Sequence, residues 1–278
     1  MKFGLFGINL GPCAQPDAAV RVARAAEAAG LDSVWTGEHV VLPDPQVPPS
    51  PAPPWFPMLD PAVALAFVAG ATTRLRLATG IIILPQRNPL VLAKELASVD
   101  VVSGGRLIVG VGAGYLTPEF DALGLSLDDR GARTNESIEV MRALWTMEKP
   151  RFAGRFHSFA GIDAHPRPVQ KPHPPIVVGG LTPPAFRRAV RQGNGWYGFA
   201  TDLEETRRCL EGLADAAGRN ERPAALGKVE ISVTPRAALD ADRVRRFEDL
   251  GVDRLIPTTV ASSAEDLLRL IETVQKVM

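Results

Sequence analysis

Short apolar runs alternate along almost the whole chain with longer segments whose apolar residues recur at helical spacing, and this rhythm limits the possible folds more than any other feature. The first run is Phe3 to Ile8. It is followed by Pro16 to Ala29, where Val20, Ala23 and Ala26 form a stripe and Gly30 stands where a helix closes on a left-handed glycine. The alternation predicts further strands near 33–36, 75–83, 106–112, 176–178, 196–200, 229–233 and 254–257. Helices are expected near 61–71, 89–102, 133–147, 184–191, 203–217, 242–250 and 264–277. Runs apolar on both faces belong to a parallel sheet covered by helices on each side. About eight such pairs match a closed (β/α)8 TIM barrel of about 250 residues, an α/β fold in a single domain over 1–278, with an open doubly wound sheet as the competitor.

Two segments break the rhythm. Residues 43–61 hold nine of the 25 prolines, which excludes helix and sheet interior and predicts a stiff extended insertion after the second strand. Residues 150–175 form a second insertion, with Phe152, Phe156 and Phe159 among three of the four histidines, and are expected to make a small hairpin before the fifth strand. Loops after strands build the reactive face of a barrel, so Trp55 and Phe56 in the first insertion are candidate substrate-cavity residues.

Composition narrows the partners. With 46% hydrophobic and 22% charged residues the chain is near the globular average and is expected to fold by itself. Lysine plus arginine and aspartate plus glutamate each total 31, so no basic excess favours nucleic acid. Cys13 and Cys209 lack CxxC spacing and read as reduced thiols. The start is too short and polar for a signal peptide, and no run reaches about 18 apolar residues. The expectation is a cytoplasmic protein acting on a small molecule, with neither membrane nor nucleic acid as partner. The absence of HxH and HExxH spacing argues against a metal.

The chemistry-bearing residues gather at strand ends. The second strand ends in Glu38-His39, an acid and an imidazole where a barrel collects reactive groups, and His39 is the candidate proton shuttle with Glu38 orienting it. Gly80 interrupts the third strand and predicts a bulge or a close approach. Gly112 and Gly114, beside Tyr115, leave room for a flat ring against the fourth strand. A dinucleotide fingerprint is a poor fit there, because it belongs at the first strand. Gly179-Gly180-Leu181-Thr182 precedes a helix and reads as a phosphate cradle, with free N–H groups at the helix N-terminus. Ser103 to Arg106 lies on the opposite face and is expected to be a tight turn with Asp100 and Arg106 paired.

In their order these pieces resemble the bacterial luciferase-like monooxygenase superfamily of flavin- and deazaflavin-dependent oxidoreductases. The resemblance spans the Gly4 to Gly7 opening, Trp35 to His39, Thr79 to Pro85, Gly110 to Tyr115, Arg130 to Glu136 and Pro175 to Gly180. It implies a usually dimeric TIM barrel. In the branch that uses coenzyme F420 the acid–histidine pair lies at the deazaflavin ring, and the third strand ends in a bulge with a non-prolyl cis peptide. Carried over, the ring contacts are Glu38, His39, Thr79, Gly80 and Ile81, and the phosphate loop is Gly179, Gly180, Leu181 and Thr182. Tyr115, Trp55 and Phe56 would shape the substrate cavity. The chain is most similar to the F420-dependent branch, with an FMN-dependent monooxygenase using reduced flavin and oxygen as the alternative. A non-catalytic coenzyme-binding protein is the reading from another class.

Overall fold

A computed structural model describes residues 1–278. The elements are β1 (Lys2–Phe6), α1 (Pro16–Ala28), β2 (Ser33–Thr36), α2 (Pro61–Ala69), β3 (Arg76–Thr79), β4 (Ile82–Ile83), α3 (Pro89–Val102) and β5 (Leu107–Gly112). There follow α4 (Thr117–Ala122), α5 (Arg130–Thr146), β6 (Phe152–Ala153), β7 (Ser158–Phe159), β8 (Ile176–Gly179), α6 (Pro183–Gln192) and β9 (Gly195–Thr201). The chain ends with α7 (Leu203–Arg219), β10 (Glu230–Pro235), α8 (Ala241–Asp249), β11 (Arg254–Leu255) and α9 (Ala264–Gln275).

Proline sets several helix starts. Pro16, Pro61, Pro89 and Pro183 each open a helix, where the missing N–H costs nothing and the fixed φ is already helical. Asp60 and Asn88 complete two of these starts, each side chain accepting from two free N–H groups of the first turn, which is worth about 1 kcal/mol per cap.

The large sheet is parallel throughout and closes on itself. Its strands run in the order β3, β2, β1, β11, β10, β9, β8, β5, and β3 pairs back onto β5 through Leu77 with Leu107 and Ala78 with Ile108. That last pairing makes an eight-staved TIM barrel and excludes the open sheet. The third stave is split. The predicted run over 75–83 breaks at Gly80, whose peptide bond to Ile81 is cis, and resumes as β4 against Val111 and Gly112 of β5. The second insertion forms the expected hairpin, β6 against β7. It is pinned to α5 by Glu136, whose carboxylate accepts the N–H groups of Arg155, Phe156 and His157.

Two apolar layers follow from the alternation of side chains along the staves. Leu5, Val34, Leu77, Val109 and Val178 face the surrounding helices, whereas Phe6, Trp35, Ala78, Ile108, Val177, Tyr197 and Ile256 fill the barrel interior. At the N-terminal end of the staves Arg254 is almost wholly buried, hydrogen-bonds to Asp32 at 3.0 Å and to Glu230, and lies over the Trp35 ring. The N-terminal floor is thus closed by a charge cluster. The expected pairing of Asp100 with Arg106 does not form. Arg106 spends its guanidinium on the carbonyls of Ala69, Leu75 and Ser103 and on Thr72, and Asp100 instead accepts from the Gln170 N–H and carboxamide.

Candidate active site

His39 lies on the loop that leaves β2 at the mouth, and its partner comes from two staves away. Its Nδ1 is 3.0 Å from Oε2 of Glu119 on α4, whose Oε1 accepts the Val40 N–H at 2.6 Å. The Glu119 side chain is fully buried and that of His39 is only 8% exposed. Burial alone would raise the Glu119 carboxyl, but His39, Gln86 and the Val40 N–H outweigh it and hold its pKa below the ordinary carboxylate value. An ionised Glu119 fixes the proton on Nδ1 and leaves Nε2 as acceptor, to which the Tyr115 hydroxyl donates at 3.3 Å. Burial, followed by the Glu119 charge, pushes the Tyr115 hydroxyl up, so it remains a donor.

Glu38, expected to orient His39, points elsewhere. Its carboxylate accepts the Ile83 N–H and pairs with Arg87, which also reaches Asp60 at 2.6 Å. Burial pushes the Glu38 carboxyl up against the pull of Arg87. Burial also works against the Arg87 charge, but the Glu38 and Asp60 carboxylates outweigh it and push that guanidinium up. Glu38 therefore anchors β4 and the start of α2 to the end of β2. Adjacent residues on an extended segment point to opposite sides, which is why neighbours in sequence part company here.

The third-stave break supplies the floor of the mouth. Ile81 packs against the interior aromatic cluster and fills the space that side chains would take on the next two staves. A Cβ on Gly112 would stand 2.5 Å from Ile81 Cδ1, and one on Gly179 would stand 2.9 Å from Ile81 Cγ2. The room expected at Gly112 for a ring is occupied by this side chain, and the room at Gly114 is taken by Ile83 and Phe120. Thr79, expected to touch a cofactor, has its hydroxyl committed to the Gly110 carbonyl at 2.7 Å and to the Gly110 N–H at 2.8 Å. This clasp joins β3 to β5 beside the break. Gly110 has no room for a side chain, since its Cβ would fall 1.8 Å from the Thr79 carbonyl oxygen.

At the opposite rim, Gly179 ends β8, Gly180 has φ +130° and Thr182 precedes α6. The expected ring of helix N–H donors is smaller than the sequence implies. Pro183 and Pro184 have none, and the Ala185 and Phe186 N–H groups bond back to Thr182. The groups left to face an anion are the Leu181 and Thr182 N–H and the Thr182 hydroxyl. The proline-rich insertion is held at its root by buried Asn9, which bonds to Gly37 in both directions at 2.9 Å and donates to the Leu59 carbonyl at 2.6 Å. Phe56 packs over Gly11, but Trp55 is 80% exposed and walls no cavity within one chain. Asn9, Gln86 and Glu119 are the residues that sequence reasoning passed over. Both polar atoms of the Gln86 carboxamide are buried without a well-formed hydrogen bond.

A split third stave, a buried acid–imidazole pair at the mouth and a glycine turn before α6 form one face, and the luciferase-like monooxygenase family profile matches residues 1–266. The chain belongs to the luciferase-like monooxygenase family. An uncharacterized protein of Mycobacterium tuberculosis is a member-like relative, 32% identical over 264 residues that cover 90% of each chain. The oxygenase component of a flavin-dependent trigonelline monooxygenase from Acinetobacter baylyi is 30% identical over 64% of this chain and 46% of its own. Among solved structures, a monooxygenase from Streptomyces bottropensis superposes with a TM-score of 0.80 at 27% identity, covering 100% of this chain and 98% of that one. An F420-dependent secondary alcohol dehydrogenase, in complex with an F420–acetone adduct, gives a TM-score of 0.80 over 100% of this chain and 98% of that one. At 19% identity it shares the fold. The chain's relatives and structural neighbours thus include a flavin-dependent oxygenase component and an F420-dependent dehydrogenase.

Proposed function

We propose that this chain is an F420-dependent oxidoreductase that transfers a hydride between the deazaflavin and a small organic substrate. The observation that carries the reading is the His39–Glu119 pair, with Nε2 on the half-exposed Tyr115 hydroxyl. Hydride transfer to or from an oxygen-bearing carbon needs a companion proton, and an imidazole backed by a buried carboxylate can take or return one. The residues present fit such a group. Ile81 offers an apolar support, and Leu181 with Thr182 offers N–H and hydroxyl donors to a phosphate. When bound, the deazaflavin supplies or accepts the hydride. The chain's own work is to support one ring face at Ile81, exclude water and hold the proton at His39 Nε2, while Glu119 stabilises the imidazolium and Tyr115 borders the substrate space. Glu38 acts indirectly, through β4 and Arg87.

The functional unit we propose is a homodimer. Val63 and Phe67 on α2 and Val91 and Val102 on α3 are all exposed, and α2 is apolar on every side, which is the composition of a face that a second copy covers.

An FMN monooxygenase remains the second reading, favoured by the 27% identical Streptomyces monooxygenase that matches the full chain. Titration with each coenzyme, read by fluorescence quenching, tests the choice. Binding of F420 with substrate-dependent oxidation or reduction of its ring supports the proposal. Tight FMN binding without F420 binding overturns it, and binding without turnover on any acceptor supports a carrier protein.

A further inference from the structure

The sixth stave, β9, reaches the C-terminal mouth through a bulge. Its inward series is Tyr197 and then Phe199, since Trp196 belongs to the layer that faces the helices. Gly198 pairs with Val233 and Thr201 with Pro235, so the segment between these pairs is one residue longer on β9 than on β10. Ala200 takes up the extra residue with φ +56°, and it is the one non-glycine residue of the chain with a positive φ. This left-handed step turns Thr201 outward, where its hydroxyl meets that of Thr206 on α7 at 2.9 Å. Phe199 is left as the last side chain that β9 sends into the barrel. Arg236, just after β10, holds the bulge: its Nε donates to the Ala200 carbonyl at 3.0 Å and its backbone N–H to the Thr201 carbonyl at 3.0 Å. The same guanidinium reaches Asp202 at 3.2 Å and Glu205 at 2.6 Å. A strained residue pinned in this way serves to aim one side chain.

Phe199 is 45% exposed, and its ring is centred 4.9 Å from that of Phe6 and 6.2 Å from that of Tyr197. The Phe6 ring continues toward the acid–imidazole pair, because a Cβ on Gly37, two residues before His39, would stand 3.2 Å from Phe6 Cζ. Phe199 therefore shares one floor with the loop that carries His39. The inward side chains nearest the mouth are Phe6, Ile81, Phe199 and Ile256 on four staves, and glycines stand on three more. The remaining one is Thr234 of β10, whose hydroxyl is paired with that of Tyr197 at 2.6 Å. This inward set presents no charge and no free hydroxyl. Ile81 covers the third to fifth staves and ends beside Gly179, at the turn proposed for phosphate. Phe199 and Phe6 cover the other half.

We infer that Phe199 is a specificity-determining residue whose ring is the platform for the substrate, and that the substrate is an uncharged molecule with an aryl group that lies on it. The inference rests on the proposed function in placing the coenzyme ring over Ile81, which leaves the Phe199 half of the floor to the substrate. An aryl group gains an edge-to-face or offset contact there beyond simple burial. A carboxylate or phosphate in the same place would lose its water and find no partner on the floor. With Phe199 already held by Phe6, Tyr197 and the bulge, little ordering remains to be imposed on binding.

The test titrates two matched probes, acetophenone and 4-acetylbenzoate, onto the coenzyme-loaded protein by saturation-transfer NMR. Wild type is expected to bind acetophenone about tenfold tighter than its carboxylated analogue. Phe199→Leu keeps the apolar bulk but removes the ring face, and should weaken acetophenone about threefold to tenfold while coenzyme affinity, read by fluorescence quenching, stays within about twofold. Phe199→Lys, at the same half-exposed position, should reverse the order of the two probes. Equal affinity of wild type for both probes, acetophenone binding unchanged in Phe199→Leu, or the wild-type order kept in Phe199→Lys overturns the inference. So does a Phe199→Leu loss that falls on the coenzyme instead of the probe, since the ring would then be a coenzyme contact. Binding of FMN without F420 fails the deazaflavin reading alone, and the same comparison on FMN-loaded protein decides this one. If neither coenzyme binds, the two probes titrated onto the free protein decide it by the same criteria.

Discussion

The interlock of Ile81 with the glycines of the next staves makes a quantitative prediction for Gly112→Ala. The new methyl would lie 2.5 Å from Ile81 Cδ1 and 3.0 Å from Cγ1, so Ile81 must retreat by about 0.9 Å to reach the 3.4 Å of ordinary contact. Its Cγ2 already abuts the space over Gly179, so the retreat is upward, into the mouth. Overpacking of this kind costs about 1–3 kcal/mol. Ile81→Val removes the colliding Cδ1 and by itself costs about 0.5–1.5 kcal/mol. In the double variant the alanine methyl takes the vacated space, so the combined loss should fall short of the sum of the single losses by about 1 kcal/mol or more. Denaturant unfolding of the four proteins measures this coupling. Coenzyme titration of Gly112→Ala should show weakened binding that Ile81→Val restores in part. Additivity within about 0.5 kcal/mol would refute the claim that Ile81 fills the glycine notch.

The other predictions concern charge and association. Glu119→Gln keeps the shape but removes the anion behind His39, and should lower kcat about ten- to hundredfold with KM little changed, measured by steady-state turnover. Glu27 accepts the N–H groups of Thr73, Arg74 and Leu75, which outweigh burial and lower its pKa from 4.5 to about 2. A carboxyl lowered in the folded state stabilises above pH 4.5 and loses that contribution as pH falls toward 2, so Glu27→Gln should flatten the acid limb of thermal stability in scanning calorimetry. Phe67→Glu, on the exposed face of α2, should yield a monomer by light scattering with the far-ultraviolet circular dichroism of wild type. An unchanged dimer would place the interface elsewhere.

The barrel was legible because each stave and each covering helix writes its period into a few consecutive residues. The Ser33–Thr36 strand and the Pro89–Val102 helix match their expected limits, since turn and proline signals bound them locally. The site was legible only in part. His39 stands at a strand end, a place a sequence reveals, but Glu119 lies 80 residues away on a six-residue helix. The one local sign was an acid set between Leu116 and Phe120, both wholly buried, which marks a carboxylate that needs a partner without saying which. Gly112 and Gly114 announce missing side chains, but the neighbour that fills the gap comes from another stave. Trp55 stands in a loop on the reactive face, yet its place in that loop does not say whether its ring turns inward, and it is 80% exposed.

The imidazole of the mouth is carried by the loop after β2 and the acid by α4 after β5, on either side of the interrupted stave. The pair exists only once β2, β3 and β5 stand side by side, so a half-wound or merely collapsed chain holds His39 without its counter-charge. During refolding, the return of turnover therefore times the closing of the ring, while helix content can recover earlier and report nothing about it.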